Sequence, residues 1–186
     1  DALLERLERR VGEIRIGDPL RRENWLGPVV NAAAYASYAR YVDELLAGGS
    51  RIILGGHQLR DGALARGYYV EPVLAETPLS HRLWKHEMFL PILMVHRVRD
   101  RDEAMRLAND SDLGLTAGFY GGADEVSWFH EHIEAGVTYA NRPQGATTGA
   151  WPGYQAFGGW KGPGSTGKAA GSLYYLPQYL REQSQT

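Results

Sequence analysis

The sequence predicts an α/β fold, a mostly parallel sheet with flanking helices. Three observations lead there. Helix-type and strand-type apolar spacings alternate along the chain, which implies crossovers between strands running the same way. One run, Ile92-Leu93-Met94-Val95, has the unbroken apolar character of a strand covered on both faces. The composition is that of an ordinary globular chain: 186 residues, 44% hydrophobic, 23% charged, net charge -2.

The elements follow in order. Leu3, Leu4, Leu7 and Val11 recur at helical spacing among charges, so residues 1–12 read as an amphipathic helix. Residues 13–16 read as a short strand, ended by Gly17-Asp18-Pro19. Asn31 is a helix cap. Tyr35, Tyr38, Val42, Leu45 and Leu46 follow at 3.6-type spacing, and Gly48-Gly49 stops that helix. Residues 51–54 and 67–74 are strand candidates, and 91–98 is the strongest. Asp100 caps the next helix, with Glu103 three residues on as in a capping box. Residues 115–120 read as a strand and 123–135 as a helix with Gly136 as its left-handed stop. Residues 137–140 form the last strand. One core is the simplest organisation. Residues 1–171 are read as one domain and 172–186 as a C-terminal extended arm. Pro177 interrupts the arm, while Tyr174, Tyr175, Tyr179 and Leu180 make it too apolar for a free tail. An edge strand of the same sheet remains the alternative for it.

Composition also sets exclusions. The near-neutral charge argues against a nucleic-acid partner or a charged membrane surface. No apolar run approaches the ~18 residues a membrane span needs. The chain has no cysteine, which excludes a disulfide scaffold, a thiolate metal site and a thiol nucleophile within these residues. It begins at Asp1, so a processed or truncated protein is considered from the start. No export leader precedes Asp1, and a cytoplasmic location is the expectation.

The informative region is rich in glycine. Residues 144–171 hold nine glycines in 28 residues, interleaved with Trp151, Tyr154, Phe157 and Trp160. Such aromatics mark an ordered loop that lines a cavity, not a linker. Residues 135–181 contain no Asp or Glu, against 22 in the whole chain. A loop of bare N–H groups without acids suits an anion. Gly162-Pro163-Gly164-Ser165-Thr166-Gly167-Lys168 imitates a phosphate loop, but Ala169 stands where the magnesium-binding hydroxyl belongs. His130 and His132 lie two apart on a predicted helix and face different ways, which makes a metal pair a poor reading. Glu87 precedes the apolar strand, either as an acceptor for sugar hydroxyls or as a solvated carboxylate.

Several stretches together resemble the aldehyde dehydrogenase family, and within it the group that oxidises 1-pyrroline-5-carboxylate. In order they are Leu26-Gly27-Pro28-Val29-Val30-Asn31, Gly67-Tyr68-Tyr69-Val70-Glu71-Pro72 and Glu87-Met88-Phe89-Leu90-Pro91-Ile92. Then come Leu113-Gly114-Leu115-Thr116-Ala117-Gly118, Ala140-Asn141-Arg142, Thr148-Gly149-Ala150 and Tyr154-Gln155-Ala156-Phe157-Gly158-Gly159. The likeness covers essentially the whole chain. Each motif is weak alone; their order and spacing make the match specific.

The resemblance implies a partial catalytic domain of the aldehyde dehydrogenase type, with NAD as cofactor. The implied substrate is the aldehyde glutamate γ-semialdehyde, oxidised to glutamate in proline breakdown. Glu87 would bind the hydroxyls of the nicotinamide ribose and Phe89 would pack beside the nicotinamide. Gly149 and Ala150 would anchor the substrate's α-carboxylate through backbone N–H groups, and Phe157 would pack against its aliphatic part. Lys161 and Lys168 would add a favourable field. Leu90 and Ala156 replace a glycine and a proline common in the family. The family's nucleophilic cysteine, its water-activating glutamate and its dinucleotide-binding sheet correspond to positions upstream of Asp1, so this chain alone is expected to be inactive. The C-terminal arm, residues 179–183 above all, is the implied homo-oligomer contact. Two further readings stand beside this one: a non-catalytic interaction module derived from such an enzyme, and a phosphate-loop nucleotide binder.

Overall fold

The computed structural model describes residues 1–142, 156–162 and 170–186. The chain divides into two compact units, Asp1–Arg97 and Val98–Thr186. Each has its own apolar cluster, which corrects the expectation of one core.

In the first unit, α1 (Ala2–Gly12) is the expected amphipathic helix. Residues 13–16 do not form a strand; Ile16 makes one isolated bridge to Leu26. Helix α2 (Ala32–Ala47) starts at Asn31, whose side-chain oxygen accepts the Ala34 N–H at 2.8 Å. It ends at Gly48, and Gly49 at φ 83° reverses the chain, a conformation that suits glycine. Tyr38, Tyr41, Val42 and Leu45 form its buried stripe. Leu46, expected inside, is 54% exposed.

That stripe packs on a three-stranded sheet of β1 (Arg51–Leu54), β2 (Val73–Glu76) and β3 (Ile92–Val95), in the order β1-β2-β3. β1 and β2 run antiparallel, β2 and β3 parallel. The strand expected over 67–74 begins later. Val70 makes only a bridge to Gln58, and Pro72, which has no N–H for a ladder, delays β2 to Val73. The expected double-sided burial of β3 is also corrected. β2 is the strand buried on both faces, because it is central. β3 lies at the edge and leaves Leu93 44% exposed, while Ile92 and Met94 pack on the α2 cluster.

In the second unit, α3 (Arg101–Asn109) starts at Asp100, whose carboxylate accepts the Glu103 N–H at 2.8 Å. The Glu103 carboxylate reaches one residue further back than a capping box and accepts from the Arg99 N–H at 2.8 Å. The strand expected over 115–120 is β5 (Thr116–Phe119), and a short strand, β4 (Leu113–Gly114), precedes it. β4 pairs antiparallel with β7 (Trp160–Lys161), and β5 pairs parallel with β6 (Val137–Ala140). The helix expected over 123–135 is a 3-10 turn, Ala123–Glu125, followed by α4 (Val126–His132). Phe129 and Ile133 bury against Met105, Ala117, Phe119 and Trp128, with Phe119 and Phe129 stacked at 5.2 Å. Gly136 is not the left-handed stop; the helix already ends at Ile133, whose backbone is extended.

Among the described residues the fold is α/β, with small sheets that hold both parallel and antiparallel pairs. In the arm, Leu176–Tyr179 form a 3-10 turn that accommodates Pro177 in its first turn, and residues 173–186 are exposed. Among the described residues no strand of the chain pairs with 172–186, so the edge-strand alternative is not realised.

Candidate functional site

The predicted cofactor residues share one loop of the first unit. It leaves the 3-10 turn Arg82–Lys85 and ends where β3 begins at Ile92. Side chains alternate along it. Met88 and Leu90 pack on the α2 cluster, while Glu87 and Phe89 face solvent. Among the described residues the Glu87 carboxylate has no hydrogen-bond or ion-pair partner, so both its oxygens are available to donors. Phe89 is 83% exposed and holds φ at 52°. A bulky residue in this left-handed region costs about 1–3 kcal/mol, and such outliers concentrate at ligand sites. An available carboxylate two residues from a bare aromatic face fits a vicinal diol attached to a flat heterocycle.

The predicted substrate residues belong to the second unit. Gly149 and Ala150 lie outside the described residues, as do Lys168 and Ala169. Phe157 is half-buried, and its N–H donates to the Ala170 carbonyl at 2.8 Å in an antiparallel bridge. Gly158 and Gly159 then pass over Gly136, where a Cβ would overlap the Gly158 carbonyl. The glycine is needed for this backbone crossing, a role different from the one its position in the sequence suggested.

Lys161 is not an available cation. It bonds to Glu134 at 2.6 Å and to the Asn109 carbonyl at 2.5 Å. The acid-free stretch is therefore met by an acid from α4's side of the unit, and the expected field from Lys161 is largely neutralised. His130 and His132 hydrogen-bond to the Thr138 hydroxyl and the Trp128 carbonyl respectively.

Sequence reasoning missed two supports. Asn141 stands at φ 50° and exchanges two 3.0 Å hydrogen bonds with the backbone of Gly121 through its side-chain amide. Tyr120 donates to the Arg142 carbonyl at 3.0 Å. Together they clamp residues 141–142 at the end of β6. Asparagine's tolerance of left-handed backbone at the end of a strand was the available signal. The other is the 2.6 Å hydrogen bond between Tyr41 and His86, which no local pattern marks because 45 residues separate them.

The chain belongs to the aldehyde dehydrogenase family, whose model matches residues 1–184. Among its relatives is the 1-pyrroline-5-carboxylate dehydrogenase of Geobacillus kaustophilus (strain HTA426), 30% identical over 178 residues, which are 95% of this chain and 33% of that protein. Its counterpart in Geobacillus sp. (strain WCH70) is 29% identical over the same shares. Among solved structures, a 1-pyrroline-5-carboxylate dehydrogenase from Thermus with bound NAD superposes with a TM-score of 0.84 at 34% identity. That match covers 96% of this chain and 33% of the other. The chain therefore spans about a third of the length of the relatives it matches.

Proposed function

We propose that these residues are the C-terminal catalytic-domain portion of an NAD-dependent dehydrogenase. Its substrate is glutamate γ-semialdehyde, the opened form of 1-pyrroline-5-carboxylate, and its product is glutamate. The observation that carries the reading is the loop 86–91, with an unpartnered Glu87 carboxylate and a left-handed, exposed Phe89. The likeness to 1-pyrroline-5-carboxylate dehydrogenases over nearly the whole chain supports the substrate.

In this reading Glu87 accepts hydrogen bonds from the two ribose hydroxyls, and Phe89 covers one face of the nicotinamide and keeps water from it. NAD supplies the hydride acceptor when bound. Gly149 and Ala150 hold the substrate α-carboxylate by their N–H groups, free of repulsion from any acid in residues 135–181. Phe157 packs on the aliphatic chain between carboxylate and aldehyde. The thiol nucleophile comes from outside these 186 residues, which contain no cysteine. Residues 172–186 are an oligomerisation arm, and residues 1–171 are the partial catalytic domain.

The test is NADH formation by the complete enzyme of this reading, with glutamate semialdehyde and with simple aldehydes as substrates. Turnover of the semialdehyde is expected; turnover of simple aldehydes alone overturns the substrate. The 186-residue chain alone is expected to give none, and thiol-dependent turnover by it overturns the assignment as a portion.

A further inference from the structure

The loop that carries Glu87 and Phe89 is held at its start by a contact outside the loop. The His86 Nε2 lies 2.6 Å from the Tyr41 hydroxyl of α2, with ring centroids 5.4 Å apart. Tyr41 is 7% exposed, and the Arg40 guanidinium covers its ring at 5.0 Å. Its hydroxyl is therefore a fixed point of the first unit's core. Either tautomer of His86 completes the bond, since the phenol can donate or accept.

Such a hold is needed here. Among the described residues the backbone N–H groups of Glu87, Met88 and Phe89 make no backbone hydrogen bond, and the ladder resumes only with β3. Yet Phe89 keeps a backbone angle that a free loop would abandon. Met88 and Leu90 anchor the middle and end of the loop by packing. Apolar packing is non-directional, and it leaves the path between Lys85 and Met88 open to rotation. The His86 N–H bonds to the Leu83 carbonyl at 3.2 Å and closes the preceding turn, while the His86 side chain supplies a directional tie from this path to α2.

We infer that His86 is a positioning residue: its hydrogen bond to Tyr41 holds the loop geometry that presents Glu87 and Phe89 to the nicotinamide ribose. The ligand half of this inference rests on the cofactor reading above. The geometric half stands on the hydrogen bond, the missing backbone ladder and the left-handed Phe89.

The experiment uses the 186-residue chain, with NMR of the Phe89 backbone coupling and titration with nicotinamide mononucleotide, which carries only the nicotinamide and its ribose phosphate. Tyr41→Phe and His86→Leu are expected to release Phe89 from its left-handed angle and to weaken nicotinamide mononucleotide binding about fivefold, the size of one lost hydrogen bond. His86→Gln, which can still bond to the phenol, is expected to restore both. Amide protection of β2 and β3 should be unchanged in all three. Retention of the Phe89 angle in both Tyr41→Phe and His86→Leu overturns the positioning role. A wild-type chain whose Glu87 and Phe89 signals ignore nicotinamide mononucleotide overturns the cofactor reading instead, while the Phe89 angle still decides the role of His86.

Discussion

Gly136 and Gly158 cross so closely that the Gly158 carbonyl oxygen occupies the place a Cβ on Gly136 would take. The crossing seats the segment that carries Phe157 against the start of β6. It also precedes β7, which pairs with β4 two residues later. A single missing side chain thus fixes how residues 158–159 lie against the start of β6.

Gly136→Ala should force that backbone to move. Overpacking of this kind costs about 1–3 kcal/mol. The expected outcome is a lower urea midpoint and loss of amide protection at Trp160, with α2 and β2 of the first unit unaffected. Unchanged protection at Trp160 would show that the crossing is not obligatory.

Asn31→Ala should cost about 1 kcal/mol, because the Ala34 N–H loses its acceptor at the head of α2. Asn31→Asp should recover most of it. Urea denaturation of the three chains checks the order. Equal midpoints for all three would remove the cap from the account of α2.

Stability should fall with acid through two glutamates. A hydrogen bond from Arg51, reinforced by Arg97, holds Glu76 below the usual glutamate range. The Arg99 backbone N–H, with its guanidinium, does the same for Glu103. A lowered folded pKa means the unfolded chain takes up protons first. The contribution is complete above the unfolded value, about 4.3, and is lost as pH falls through the folded values. Unfolding midpoints measured from pH 7 to pH 3 should decline most in the lower part. Glu76→Gln with Glu103→Gln should flatten the decline, and 1 M salt should weaken it, since the partner guanidinium groups of Arg51, Arg97 and Arg99 are exposed. An equally steep profile in the double variant would assign the acid sensitivity elsewhere.

Under the proposed function, Glu87→Ala in the complete enzyme should raise the KM for NAD by about tenfold or more, the scale of two hydrogen bonds to a charged acceptor. The fold should not change, because this carboxylate supports no other group among the described residues. Phe89→Gly should relieve the left-handed strain and stabilise the chain while weakening cofactor use. Unchanged NAD kinetics in Glu87→Ala removes that residue from the site.

Much of this was legible along the sequence, and the reason is local. The Asn31 cap, the 3.6-residue stripe of α2, the Asp100 cap and the strand over 137–140 each depend on residues a few positions apart. Glu87 and Phe89 were named as cofactor candidates through their motif, and both are exposed on one loop. The misplacements were non-local. β2 was displaced by Pro72 and by its pairing on both sides, and Gly136 was read as a helix stop when its partner is Gly158. Lys161 was counted as an open cation because Glu134 and Asn109 are distant in sequence.

By itself the sequence determined the N-terminal caps of α2 and α3, the family motifs and their order, and the absence of any cysteine within these residues. Caps, periodicity and turn residues act through adjacent backbone, so they are written in consecutive positions. Only the tertiary structure decided which strand is central, which lysine is neutralised, and that Tyr41 meets His86 at the foot of the Glu87 loop. Those outcomes depend on pairings across tens of residues, where chain topology, and no local propensity, selects the partner.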